Sequence, residues 1–131
     1  MVFVHVSVRT SDMDRSIEFY RRYFGMELEK RREIPANDAE IAFLKDSGSD
    51  FSLELTYYKD QRRFEQAPYE ERVFDHLAFT VKDLDGTIAR MRKAGVKITD
   101  EPFMLGPGGN RLAFIEDPDG TLIELIERKG G

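Results

Sequence analysis

A stretch near the start of this chain returns in its second half. His5-Val-Ser-Val-Arg-Thr-Ser-Asp-Met-Asp-Arg-Ser-Ile17 aligns without a gap on His76-Leu-Ala-Phe-Thr-Val-Lys-Asp-Leu-Asp-Gly-Thr-Ile88, at a constant offset of 71 residues. His falls on His, Asp12 on Asp83, Met13 on Leu84, Asp14 on Asp85 and Ile17 on Ile88. The same offset carries Ala42-Phe-Leu-Lys-Asp46 onto Ala113-Phe-Ile-Glu-Asp117. One residue of slip then sets Leu53-Glu54-Leu55 on Ile123-Glu124-Leu125. A chain that repeats itself in this way is restricted to folds in which one supersecondary unit is used twice.

Each half spells the same order of elements. Alternating apolar residues predict a strand from about residue 3 to 9, and again from 74 to 81. A helix follows in each half. Ser11 or Asp12 can cap the first, Met13, Ile17, Tyr20 and Phe24 fall at helical spacing, and Gly25 stands just past its end. Asp83 or Asp85 can cap the second, whose stripe is Leu84, Ile88 and Met91 and whose stop is Gly95. Three short strands complete each half, near 28–34, 40–45 and 51–58, and near 97–99, 111–116 and 121–127. Asp46-Ser-Gly-Ser49 and Asp117-Pro-Asp-Gly120 are hairpin turns. The reading is an α+β fold of two tandem βαβββ modules in a single domain. Module 1 covers 1–58, module 2 covers 74–131, and a charged connection covers 59–73.

Composition narrows the chemistry. A chain of 131 residues, 40% of them hydrophobic, can fold as one domain without disulfides or a structural metal. No stretch approaches the roughly 20 apolar residues of a membrane span, and Phe3 to Val8 is too short for a signal-peptide core. The cytoplasm is therefore the expected location. A formal charge of -5 argues against a nucleic-acid surface, and the arginines of 29–33 and 59–63 are interleaved with acids, as on a solvated face. The absence of cysteine excludes disulfides, thiolate nucleophiles and zinc-thiolate sites. Gly106-Pro-Gly-Gly109 has no Lys-Ser/Thr after it and opens no helix, so it is not a phosphate-cradling loop. Any metal site must be built from His, Asp and Glu, and the chain has two histidines.

Strand parity shows where those histidines stand. In the first strand Val2, Val4, Val6 and Val8 make the expected packing face, and Phe3, His5, Ser7 and Arg9 the opposite one. In the matching strand Leu77, Phe79 and Val81 pack, while His76, Ala78 and Thr80 face away. Glu54 shares a face with Ser52, Thr56 and Tyr58. Glu124 lies in Leu122-Ile-Glu-Leu-Ile126, apolar on both faces apart from this carboxylate, which should be paired, protonated or on a metal. Alone, a strand histidine is more often a structural hydrogen-bonder, and a lone strand glutamate can pair with Arg9 or guard an edge. Jointly, two histidines at one repeat position and two glutamates at another form a nitrogen-and-oxygen donor set suited to Zn, Ni, Co or Fe.

With these residues identified, the chain resembles the vicinal-oxygen-chelate superfamily, and within it the bacterial-type glyoxalase I (lactoylglutathione lyase) family. The likeness covers nearly the whole sequence. It rests on His5 with Arg9, Arg15-Ser-Ile-Glu-Phe-Tyr20, Phe24-Gly-Met-Glu-Leu28, Leu53-Glu-Leu-Thr-Tyr57, Asp75-His-Leu-Ala-Phe79 and Ala113-Phe-Ile-Glu-Asp-Pro-Asp-Gly120, ending in Ile123-Glu-Leu-Ile126. The resemblance implies a cupped mixed sheet built from the two modules, often in a homodimer with sites at the interface. It implies metal ligation by His5, Glu54, His76 and Glu124, with Ni2+ or Co2+ favoured and Zn2+ allowed. The implied reaction isomerises the hemithioacetal of methylglyoxal and a thiol (glutathione or an analogue) to an S-lactoyl thioester through an enediolate. Glu124 is the preferred base, with Glu54 able to play the same part from the opposite side, and Arg9 is the candidate clamp for a carboxylate of the thiol.

Two other readings share the fold. A methylmalonyl-CoA epimerase-like enzyme would use the same carboxylates, with Arg62, Arg63 or Arg111 reaching the nucleotide, although such epimerases usually carry Gln at the place of Glu54. A metal-free small-molecule binding or resistance protein would bind no metal. Two stretches also depart from the glyoxalase pattern: the long connection that ends in Glu70-Glu-Arg-Val-Phe74, and the loop Gly106-Pro-Gly-Gly-Asn-Arg111.

Overall fold

The computed structural model describes residues 1–61, 64–65 and 67–128. The chain divides into two compact units, Met1–Glu65 and Gln66–Gly131. The first contains strand β1 (His5–Arg9), helix α1 (Met13–Phe24) and strands β2 (Glu27–Ile34), β3 (Ala39–Lys45) and β4 (Ser52–Tyr58). The second contains β5 (Leu77–Thr80), α2 (Leu84–Lys93), β6 (Ile98–Met104), β7 (Arg111–Glu116) and β8 (Leu122–Glu127). Each unit is thus a βαβββ module with a four-stranded mixed sheet, in the order β1-β4-β3-β2 and β5-β8-β7-β6. The first and last strands of each module lie side by side and parallel, while the remaining pairings are antiparallel.

The helices begin and end for local reasons. Asp12 caps α1 by accepting from the Arg15 N–H, and Gly25 ends it in the left-handed conformation at φ 64°, where its N–H reaches back to the Arg21 and Tyr20 carbonyls. Asp83 caps α2 through the Gly86 N–H. A second carboxylate also holds this end, because Glu127 of β8 accepts the Leu84 N–H at 2.8 Å. The apolar stripes are buried as their spacing predicts: Met13, Ile17 and Tyr20 in the first unit, and Leu84, Ile88 and Met91 in the second. Leu44, Leu53 and Leu55 from one sheet, and Ile115, Ile123 and Leu125 from the other, complete the two cores. Fully burying a side chain of this size contributes roughly 1.5–3 kcal/mol.

Each sheet also clamps the first turn of its helix with an arginine. In the first unit Arg31 of β2 bonds Asp14 at 2.6 Å and Glu40 at 2.9 Å. In the second, Arg111 of β7 makes a two-pronged contact with Asp85 at 2.8 and 3.0 Å and also reaches Glu127 at 3.5 Å. Asp14 and Asp85 are repeat equivalents, but their arginines come from different strands.

Two expectations need correction. Val2 and Val4 do not pack: they precede the β1 ladder and are exposed, leaving Val8 as the buried valine of that face. The strand expected near 97–99 continues to Met104. Asp100, Glu101 and Pro102 hide it in the sequence. They are accommodated because β6 is an edge strand whose register against β7 shifts twice, between Ile98 and Asp100 and between Asp100 and Phe103. The hairpin that follows turns at Gly109, where an added Cβ would lie 2.0 Å from the Leu105 carbonyl oxygen.

Two outcomes test this account of the fold. Leu125 is completely buried on the face of β8 opposite Glu124, so Leu125→Ala should cost about 2–5 kcal/mol in urea unfolding. Asp85 is held below its ordinary value of 3.8 mainly by its hydrogen bond from Arg111. A carboxyl depressed in the folded state adds stability above its unfolded value and loses it as pH falls through the folded value. Asp85→Asn should therefore be less stable than the wild type near neutral pH, with the gap closing below pH 3.8. A gap that is independent of pH would refute the clamp.

Candidate metal centre

The parallel pairing of first and last strands sets the geometry of each half-site. In the first unit Ser7 is the register partner of Glu54, and Phe43 is its partner on the other side. Side chains two residues apart share a face, so His5 stands diagonally beside Glu54. His5 Nε2 lies 3.9 Å from Glu54 Oε1, with the glutamate side chain 16% exposed. The Phe43 ring meets the His5 imidazole edge-on at 5.3 Å between centroids. Ser7 and Thr56 hydroxyls are 2.7 Å apart, and Thr56 Oγ1 donates to Glu54 Oε1 at 3.4 Å. Arg9 stacks its guanidinium over the Tyr58 ring, 4.7 Å from the centroid.

The second unit repeats the arrangement in the same register. Ala78 and Phe114 flank Glu124 as Ser7 and Phe43 flank Glu54. His76 Nε2 lies 3.6 Å from Glu124 Oε2, and the glutamate is again 16% exposed. Phe114 meets the His76 ring edge-on at 5.6 Å. The copies also differ. His76 Nδ1 is bonded to Asp75 Oδ1 at 2.6 Å. Ala78 and Ile126 stand where the first unit has Ser7 and Thr56, so neither place offers Glu124 a hydroxyl.

The donors suit a divalent cation. In each unit an imidazole nitrogen and a carboxylate oxygen face one another slightly too far apart for a good direct hydrogen bond. Two ligands held about 2.1 Å from one ion stand roughly 3.0–3.5 Å apart, so a small rotamer adjustment would allow each pair to chelate. Among the described residues no group of three or more His, Asp or Glu side chains is gathered to hold an ion, so each unit offers a two-donor half-site.

Beside the second half-site, a cleft of about 400 Å³ is lined by Phe114, Tyr69, Arg72, Asp100, Glu116 and Leu122 among others. Tyr69 and Arg72 come from the segment that departs from the glyoxalase pattern. Arg72 is braced by the Ala67 carbonyl at 3.0 Å. Arg111, one of the arginines an acyl-CoA reading would need, is engaged by Asp85 and Glu127. Arg62 and Arg63 lie outside the described residues.

Sequence reasoning missed Phe43, Phe114 and Asp75. The first two were visible as one more coincidence at the 71-residue offset. Asp75 had no such signal, because its counterpart is Val4.

Known proteins supply the remaining comparison. The description "Glyoxalase/Bleomycin resistance protein/Dioxygenase superfamily" matches residues 2–125. A lactoylglutathione lyase of Arabidopsis thaliana is 38% identical over 129 residues, covering 96% of this chain and 44% of the plant protein. A lactoylglutathione lyase of Haemophilus influenzae is 36% identical over 131 residues, covering 98% of this chain and 94% of the bacterial one. The crystal structure of glyoxalase I from Zea mays superimposes with a TM-score of 0.81 at 33% identity, over 96% of this chain and 44% of that one. The chain thus spans less than half the length of these plant relatives and nearly all of the bacterial protein. With a family match over almost its full length and relatives above 30% identity, the chain belongs to the glyoxalase/bleomycin resistance protein/dioxygenase superfamily.

Proposed function

We propose that the protein is a metal-dependent glyoxalase I-type lyase, acting on the hemithioacetal of methylglyoxal and a thiol, glutathione or an analogue. The observation that carries this reading is the duplicated His–Glu pair, in identical register in both units, within a chain whose relatives are named lactoylglutathione lyase. The reading includes a single domain of two modules, 1–58 and 74–131, joined by 59–73, in a cytoplasmic homodimer with its sites at the interface. His5, Glu54, His76 and Glu124 would hold one divalent ion, Ni2+ or Co2+ by preference and Zn2+ as an alternative. When bound, that ion supplies positive charge that stabilises the negative charge developing on the substrate oxygens as the C–H bond breaks.

The protein's own groups move the proton. Glu124 takes it from the carbon that carries sulfur and returns it to the neighbouring carbon, while the hydroxyl proton passes from the first carbon's oxygen to the second's, so the step is an isomerisation with no net gain or loss. Its surroundings favour this assignment over Glu54. Glu54 accepts a hydrogen bond from the Thr56 hydroxyl, which restrains its carboxylate, whereas Ala78 and Ile126 give Glu124 no such donor. Phe43 and Phe114 shield the histidines from water on one side. Arg9 is on the face of His5 with its guanidinium over the Tyr58 ring, and is the candidate clamp for a carboxylate of the thiol.

The test is direct. Chelator-stripped protein should regain thioester formation, followed by its absorbance with methylglyoxal and glutathione, on addition of Ni2+ or Co2+. Glu124→Gln should lower kcat by about 10²–10⁴-fold while leaving the fold intact. Arg9→Gln should raise KM for the thiol adduct more than it lowers kcat. Stoichiometric metal uptake without turnover on any thiol would overturn the lyase reading and leave the epimerase reading to be tested with methylmalonyl-CoA. Absence of metal uptake would overturn both.

A further inference from the structure

The two half-sites are not equivalent behind their histidines. A neutral imidazole carries one N–H, and the nitrogen that carries it cannot ligate a metal. Asp75 Oδ1 lies 2.6 Å from His76 Nδ1, so the carboxylate accepts the Nδ1–H. The opposite tautomer would place an Nδ1 lone pair against a carboxylate at that distance. The proton is thereby held on Nδ1, and the Nε2 lone pair points to the side where Glu124 lies at 3.6 Å.

This contact depends on where the strand begins. The β5 ladder starts at Leu77, so Asp75 and His76 precede it. Neighbouring residues in a strand point to opposite faces, but these two are free of that alternation and their side chains meet. In the first unit the ladder begins at His5 itself. The repeat equivalent of Asp75 is Val4, whose side chain has no acceptor to offer.

We infer that Asp75 is a positioning residue that fixes His76 as an Nε2 ligand, making the His76–Glu124 pair the tighter half-site and the first anchor for the metal. This deepens the metal-site reading above and rests on it. An orienting carboxylate behind a ligating histidine also raises the ligand's basicity, and its loss typically costs about 10- to 100-fold in metal affinity. Asp75 acts through His76 and is not itself one of the proposed ligands.

The experiment uses Zn2+ alone, titrated against a competing chelator, on the full chain with no substrate. Asp75→Val should weaken Zn2+ binding by about 10- to 100-fold, and Asp75→Glu should recover most of the loss. His76→Ala should weaken binding more than His5→Ala. The independent readout is the ring-nitrogen NMR spectrum of metal-free protein at a pH where both rings are neutral. With two histidines in the chain, the His5→Ala spectrum assigns His76. His76 should be the Nδ1–H tautomer in the wild type and move toward Nε2–H in Asp75→Val. Unchanged Zn2+ affinity in Asp75→Val, equal losses in the two histidine variants, or an Nε2–H tautomer in the wild type would each overturn this inference and leave the lyase reading standing. Wild-type protein that takes up no Zn2+, Ni2+ or Co2+ would overturn the lyase reading and this inference with it.

Discussion

Parallel pairing between the first and last strand of each module is the constraint on which the candidate site depends. A hairpin would bring neighbouring strands together in antiparallel register, but β1 and β4 are far apart in sequence and lie side by side only because β3 and β2 extend the sheet in the other direction. The register then places Ser7 opposite Glu54 and Ala78 opposite Glu124. The histidine two residues upstream stands diagonally across from the glutamate. A shift of one residue in either pairing would send one partner to the buried face. The same register that fills the core with Leu53, Leu55, Ile123 and Leu125 therefore places the carboxylates on the other side.

Helix docking protects that register. Each helix covers the face of the sheet opposite its histidine and glutamate, and an arginine from the sheet grips the aspartate in its first turn. The aspartates are equivalent by repeat, but the arginines are not. Arg31 lies on β2 and Arg111 on β7, so the two units reach one electrostatic solution by different substitutions. In the second unit Glu127 joins the clamp and caps α2, tying the helix to the strand that carries Glu124.

Much of this was legible in the sequence because each pattern occurs twice. The helices, their aspartate caps and the two turns each had a counterpart 71 residues away that removed the ambiguity of a single short pattern. Parity correctly put His5 with Ser7 and Glu54 with Thr56. What could not be read was whatever the repeat does not share. The strand through Pro102 is masked by its charges and depends on two register shifts that only the edge of a sheet tolerates. The exposure of Val2 and Val4 depends on where the ladder starts, which alternation alone cannot give. Side-chain pairs such as Arg111 with Asp85 link positions whose proximity exists only after folding.

The differences between the copies carry the most chemical meaning, because duplication alone would give two identical chelating arms. In the first unit the Thr56 hydroxyl, itself paired with that of Ser7, bonds the carboxylate, and Val4 offers the imidazole no acceptor. In the second unit the hydrogen bond lies elsewhere: Asp75 bonds the imidazole, while Ala78 and Ile126 offer the carboxylate no hydroxyl. Under the proposed function, a histidine held by Asp75 beside a glutamate with no hydroxyl partner suits a ligand that keeps its place next to a base. The asymmetry arises from three substitutions, Val4 against Asp75, Ser7 against Ala78 and Thr56 against Ile126, all lying within the strands that the duplication placed side by side or just before them. Divergence at so few positions makes the two half-sites chemically distinct without disturbing either core.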